Sequence, residues 1–253
     1  MGKTIAIAGK GGTGKTTLAA MLIKYLQEVK RGSILAIDGD PSSNLNLALG
    51  LDLAGTVGDI REETLRQVST GTFQAGISKP DYLEYRINEC LVESSGVDLL
   101  AMGRPEGATC YCAANNILRQ CIDRLGDDYE FVVIDNEAGM EHISRQTTRH
   151  IDLLFVVSDP TIRGLEAVGH IVELVRQLGT RVGKTRFLVN RVDGELPPVF
   201  LGRAQALDLE VAGVIPVDPL VGKFDAVGRP LIDLGGDSAV YLAVKKIARE
   251  AGL

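Results

Sequence analysis

Two stretches of this sequence combine residue types and spacings that do chemistry. The first is GKGGTGKTT, Gly9–Thr17, in which Gly9, Gly14, Lys15 and Thr16 are spaced G-x4-G-K-T. Glycines so placed let backbone N–H groups converge on phosphate oxygens at a helix N-terminus. Lys15 then brings charge between β- and γ-phosphates, the Thr16 hydroxyl is free for Mg²⁺, and Gly11, Gly12, Thr13 and Thr17 complete the cradle. Gly9, Gly11 and Gly14 also satisfy G-x-G-x-x-G, with Asp38 following at a distance a dinucleotide fold would use. The continuation Lys15-Thr16-Thr17 decides for a nucleoside triphosphate, because a nicotinamide fingerprint needs neither that cation nor those hydroxyls.

The second stretch is GATCYCAANN, with Cys110 and Cys112 one residue apart in a chain of only four cysteines. In extended backbone residues i and i+2 lie on one face roughly 6.6 Å apart, at the wide limit for a disulfide. A metal ion can sit between two thiolates that point the same way, but two ligands are half of a closed site. Cys90 and Cys121 lie in helical patterns and read as buried packing residues.

Carboxylates and amides at predicted strand ends extend the first constellation. Asp38 and Asp40 close the run "AIDGDP", where open α/β sheets bind ligands. A triphosphate there needs a carboxylate to orient water for in-line attack, although Asp and Pro also cap turns. Asp135 ends "FVVID" as a Mg²⁺-supporting carboxylate does. Glu137 and Glu141 follow it as relay, interface or solvated residues.

These residues need a scaffold, and the apolar pattern supplies one. Runs at Thr4–Gly9, Ser33–Asp38, Val97–Gly103, Phe131–Asp135, Asp152–Ser158, Thr185–Asn190 and Val211–Pro216 lack polar alternation, as parallel strands covered on both faces do. Helical patterns lie between them at Thr16–Val29, Asn115–Leu125, Thr161–Leu178 and Ser238–Ala251. The prediction is one doubly wound α/β domain over 1–253, a mostly parallel sheet of about seven strands with helices on both faces. Within it, 56–97 reads as an irregular helical surface segment ("VGDIREETLRQV" and "DYLEYRINECLV") and 103–114 as the C-x-C loop. Net charge is −6 and 45% of the 253 residues are hydrophobic. The charge disfavours nucleic acid. No secretory signal, membrane span or secreted disulfide framework is legible, so the expected compartment is the cytoplasm.

The second lysine, Lys10, completes a resemblance. GKGGTGKTT is similar to the deviant Walker A loop of the MinD/ParA/nitrogenase-iron-protein group of P-loop ATPases, over essentially the whole chain. The resemblance implies a homodimer that sandwiches ATP, with Lys10 reaching the partner's nucleotide. It assigns Asp40-Pro41 to a first switch that orients water, leaves Asp38 to support Mg²⁺ through water, and makes Gly139 of "DNEAG" a backbone contact to the γ-phosphate. It also implies that Asn190-Arg191 and the loop Pro216, Val217, Asp218 wrap adenine, and that ATP and ADP are the nucleotides.

Membrane-cycling members carry a terminal amphipathic helix beyond the last core helix, and none follows "SAVYLAVKKIAREAGL". The order DGDP, C-x-C, D-x-E-A-G-x-E-H, N-R-V and I-P-V-D-P resembles the nickel-insertion ATPases of carbon monoxide dehydrogenase and acetyl-CoA synthase. That resemblance implies a client nickel–iron–sulfur enzyme and makes Cys110 and Cys112 ligands for Ni²⁺ or Zn²⁺. Two thiolates per chain become four about a two-fold axis, enough to close an S₄ site. His142 and His150 are further ligands only if folding brings them near. A nucleotide-switched iron–sulfur cluster carrier or reductase is the alternative, because the ligands would be identical; a third reading is a regulatory ATPase with inert cysteines.

Overall fold

The computed structural model of the protein describes residues 2–29, 32–72, 79–104, 125–137, 150–177 and 181–253. Seven strands form one sheet: β1 (Lys3–Gly9), β2 (Ile34–Gly39), β3 (Asp98–Ala101), β4 (Phe131–Asn136), β5 (His150–Ser158), β6 (Arg181–Val192) and β7 (Val211–Pro216). Their spatial order is β3-β2-β4-β1-β5-β6-β7, and every pairing between neighbours is parallel. From β1 the chain builds one half through β2, β3 and β4, then turns to the other half through β5, β6 and β7. That reversal places the loop after β1 at the crevice where doubly wound sheets bind ligands.

Helices cover both faces, which is why the strand runs are apolar without alternation. Ile5, Ile7, Ile34, Ala36, Val133, Phe155 and Leu188 pack towards α1 (Lys15–Glu28) and the last helix, Ala239–Glu250. Ala6, Ala8, Leu35, Ile37, Ile134, Leu154 and Val156 face the opposite layer. That layer holds α3 (Val57–Ser69), α4 (Lys79–Cys90), α5 (Ile162–Gln177) and α6 (Pro198–Ala206). The remaining α-helices among the described residues are α2 (Leu45–Leu49), α7 (Pro219–Ala226) and the last, α8. In α5 the buried residues Leu165, Val168, Ile171 and Val175 recur at helical spacing, and each contributes about 1.5–3 kcal/mol by leaving water.

The segment 56–97 holds two well-formed helices. A capping box starts α3: the Thr56 hydroxyl accepts from the Asp59 backbone N–H, and the Asp59 carboxylate accepts from the Thr56 N–H. Cys90, at the end of α4, is buried with Ile60 and Ile87, and burial pushes its thiol up, so it packs as a small hydrophobe. Two expectations are corrected. β6 begins at Arg181 rather than Thr185, because pairing with β5 extends it through exposed residues. β7 is an edge strand with only Ile215 buried, so its faces are not both covered.

Candidate functional site

The loop after β1 is shaped by its glycines. Gly12 and Gly14 have φ values of 78° and 88°, where side chains are strained. A Cβ on Gly14 would lie 2.3 Å from Asn190 Nδ2, and one on Gly9 would lie 2.3 Å from the Val157 carbonyl oxygen. Gly14 caps α1, whose first turn holds no acidic residue of its own, so the positive end of the helix faces the loop. The Thr13 hydroxyl (2.8 Å) and the Lys15 ammonium (3.4 Å) both donate to the Lys10 carbonyl. Lys15 is 7% exposed, whereas the Lys10 side chain reaches into solvent. Burial lowers the Lys15 pKa, and the charges of Asp135, Asp40 and Glu137 oppose that shift.

Two carboxylates, Asp135 and a fourth, Asp38, end neighbouring strands. Asp38 of β2 lies in register with Asp135 of β4. Asp135 Oδ2 accepts from the Thr16 hydroxyl at 2.6 Å, and its Oδ1, buried, has no hydrogen-bond partner among the described residues. Burial pushes the Asp135 carboxyl up to about 7; the Thr16 hydrogen bond and Lys15 pull it down, while Asp38 and Asp40 add to the rise. Asp38, fully buried, accepts from the backbone N–H groups of Asp40 (3.0 Å) and Leu45 (2.9 Å). Burial pushes it up to about 6 against those hydrogen bonds. Asp38 thus braces the loop to α2 with both oxygens, and half-exposed Asp40 is held by the Ser42 N–H at 2.8 Å. A hydroxyl against a buried carboxylate with one unpartnered oxygen is an all-oxygen donor set that fits Mg²⁺.

Beside the loop opens a cavity of about 330 Å³. Asn190, Arg191, Pro216, Val217 and Asp218 are brought together in its wall, with Thr17 beside them. Pro219, Val221, Gly222, Asp225 and Val240 complete the wall, and sequence reasoning did not find them. The spacing of Val221, Gly222 and Asp225 from Asp218 on one short helix was the only available signal. Asn190 Nδ2 donates to the Thr13 carbonyl at 2.8 Å, tying the cavity to the phosphate loop. Asp218 caps α7 through the Leu220 N–H and also accepts from Ser238 Oγ (2.7 Å) and Val240 N (3.2 Å). Burial raises its carboxyl, but those hydrogen bonds outweigh it and hold the group below the usual carboxylate range.

Cys110, Cys112, Cys121, Gly139, Glu141 and His142 lie outside the described residues. His150 starts β5, an interior strand, at the end of the sheet away from the phosphate loop, 3.0 Å from Asp152. Among the described residues no group of three or more His, Cys, Asp or Glu is arranged to hold a metal ion. Among them, too, no helix is long and apolar enough to cross a membrane.

The family pattern described as the CobQ/CobB/MinD/ParA nucleotide binding domain matches residues 4–231. An ATP-binding protein of Methanocaldococcus jannaschii, itself uncharacterised, is 44% identical over 246 residues, 97% of each chain. The carbon monoxide dehydrogenase accessory protein CooC of Rhodospirillum rubrum is 32% identical over 243 residues, 91% of this chain and 89% of that protein. Among solved structures, the septum site-determining protein MinD of Pyrococcus horikoshii, complexed with Mg-ADP, has a TM-score of 0.69. It is 25% identical, with 99% of this chain and 96% of that one covered.

Proposed function

The chain belongs to the CobQ/CobB/MinD/ParA nucleotide-binding family, and from that premise we propose that it is a homodimeric ATPase that loads nickel into the metallocluster of a carbon monoxide dehydrogenase or acetyl-CoA synthase. The observation that carries the nucleotide chemistry is the Thr16–Asp135 contact, with Asp135 Oδ1 unpartnered beside the buried Lys15 ammonium. ATP lies with its phosphates on Gly11–Thr17 and its base in the cavity walled by Asn190 and Asp218. Lys15 binds β- and γ-phosphate oxygens and stabilises the charge that moves onto ADP. Thr16 and Asp135 would hold Mg²⁺, which neutralises phosphate charge when bound. Asp38 fixes the loop that carries Asp40, and Asp40 orients water in line with the γ-phosphorus. The P–O bond to the β-phosphate breaks as the water oxygen bonds, giving ADP and phosphate. Gly139 supplies an N–H to the γ-phosphate, and Lys10 reaches the partner's nucleotide, so hydrolysis requires the dimer.

The cargo reading is supported by the C-x-C at Cys110 and Cys112, by its order with the switches, and by the likeness to CooC. Four thiolates at the two-fold axis bind one divalent ion, and the ATP cycle that opens the dimer releases it. Anaerobic nickel titration with metal analysis, with and without nucleotide, tests the reading. Tight binding is expected to saturate at one ion per two chains. Cys110→Ser and Cys112→Ser should each abolish it while leaving basal ATPase intact, and affinity should fall at low pH as the thiols protonate. Unchanged binding in either variant removes the nickel role, and a brown, iron-containing protein would establish the cluster-carrier class instead.

A further inference from the structure

The two halves of the sheet part at one point. β1 and β4 pair as far as Ile7 with Asp135. Beyond it β1 runs on with β5 alone, to Gly9 beside Val157, and β4 runs on with β2, to Asn136 beside Gly39. The crevice between them separates the two groups that fit a divalent cation. Thr16 follows β1 through the phosphate loop, whereas Asp135 belongs to β4. Their spacing is therefore set by how β4 is held to β1 at this end of the sheet.

Two adjacent side chains hold it, one on each face, because strand residues alternate. Asp135 turns to the α1 face and takes the Thr16 hydroxyl at 2.6 Å. Asn136 turns to the opposite face, that of Val132 and Ile134, and its Nδ2 donates to the Ile7 carbonyl at 2.9 Å. That bond lands two residues before Gly9, where the phosphate loop begins. Asn136 is 1% exposed, and its Oδ1, buried, has no hydrogen-bond partner among the described residues. For packing alone the position is poorly filled. Val132 and Ile134 on the same face are apolar, and an amide with one end unsatisfied costs more there than an aliphatic side chain. Nor does β2 share the task at this level. The Cα partner of Asn136 is Gly39, and a Cβ there would lie 3.1 Å from the Asp135 carbonyl oxygen. What the amide supplies is the bond across the crevice.

We propose that Asn136 is a positioning residue for the divalent cation. Its amide pins β4 to β1 and keeps Thr16 and Asp135 at the separation that magnesium requires. The inference rests on the reading of those two residues as the cation's holders. Mg²⁺ takes oxygens at about 2.0–2.1 Å in near-ideal octahedral geometry, whereas Ca²⁺ accepts about 2.3–2.6 Å and irregular shells. Loosening the crevice should therefore weaken magnesium more than calcium.

Binding of a non-hydrolysable ATP analogue, by competition with a fluorescent ADP analogue, tests it in wild type, Asn136→Leu and Asn136→Ala. Each protein is measured in EDTA, in Mg²⁺ and in Ca²⁺, and the gain in affinity over EDTA is the readout. Leucine keeps the bulk of the side chain and removes the donor; alanine removes both. In EDTA each variant should bind within about threefold of wild type, because no group that touches the nucleotide is lost. The magnesium gain should fall about tenfold or more, the scale of losing a partner that orients a metal ligand. The calcium gain should fall by about threefold or less, since its shell adapts. An unchanged magnesium gain in either variant overturns the inference. So does an equal fall in the magnesium and calcium gains, which general damage to the site would give. Should Asn136→Leu not fold, Asn136→Ala decides by the same criterion. A wild-type protein in which neither cation raises affinity would overturn the cation reading itself, an outcome distinct from a magnesium gain that both variants keep.

Discussion

Asp135→Asn should stabilise the nucleotide-free protein, and the gain should grow with pH. In the folded chain burial takes the Asp135 carboxyl from its ordinary 3.8 to about 7. Each tenfold change in proton affinity is worth about 1.4 kcal/mol, so full ionisation disfavours the fold by at most about 4 kcal/mol. The sign follows from linkage. A raised folded pKa means that the folded state holds the proton more tightly, so stability is complete below about pH 4 and is lost as pH rises through 7. Asparagine does not titrate and can still accept from Thr16. Asp38, pushed up to about 6, titrates in both proteins and leaves a residual slope in each. The difference between them isolates Asp135: near zero at pH 4 and about 2–4 kcal/mol at pH 8.5, allowing for relaxation around the charge. For a chain of this length that is a melting-temperature gap of about 5–15 °C. Thermal melts followed by circular dichroism, in EDTA without nucleotide from pH 4 to 8.5, measure it. Parallel curves for the two proteins would refute the buried-charge argument. Mg-ATP should then stabilise wild type more than the variant, because the unpartnered oxygen is the one the cation needs.

Three further outcomes follow from the same geometry. Asp40→Ala should bind ATP within about threefold of wild type yet lose at least about a hundredfold in turnover, since the group acts only in the transition state; wild-type turnover at saturating ATP removes its assigned role. Lys10→Ala, placed in an Asp40→Ala background, should reduce the ATP-dependent dimer fraction in sedimentation, because its side chain leaves its own loop for solvent; equal dimer fractions would exclude a role across the dimer. Gly14→Ala should weaken ATP by about tenfold or more, as its Cβ would displace the Asn190 amide, and calorimetry showing unaltered affinity would contradict the close approach.

Much of this architecture was legible because burial dictates it. β1, β2, β4 and β5 are covered on both faces, so their central residues are apolar without alternation and their ends could be read to within two residues. The start of β6 was not legible, since Arg181 and Lys184 are exposed and only pairing with β5 makes them strand. The five-residue α2 and eight-residue α7 are too short for helical periodicity to register. They form because carboxylates hold their entries: Asp38 takes the Leu45 N–H and Asp218 the Leu220 N–H. At the site, the phosphate loop was readable because its spacing is itself the mechanism. The shift of register between Val189 and Val192 of β6 on β7 was not, because an extra residue exists only relative to a partner strand.

The same contrast explains why the strand ends look ill-suited to a resting protein. Asp135 and Asp38, side by side in register, are both driven towards protonation by burial, while Lys15 is driven towards losing its proton. Isolated ion pairs of this kind gain little over apolar replacements, and an unpartnered buried carboxylate oxygen is a net cost. A site built for stability alone would hold none of these groups. On the proposed reading, phosphates would satisfy Lys15 and the backbone N–H groups of the loop, and a divalent cation would satisfy Asp135, so the nucleotide with its cation would relieve the costs at Lys15 and Asp135 together. Binding is therefore expected to be cooperative between nucleotide and Mg²⁺, each weak without the other, since either alone leaves one sign of charge buried and uncompensated. Asp38 differs from Asp135 in that both of its oxygens already hold backbone. Its carboxylate holds the loop that carries Asp40, so a change of charge at Asp135, its neighbour in register, would act on the residue that braces that loop.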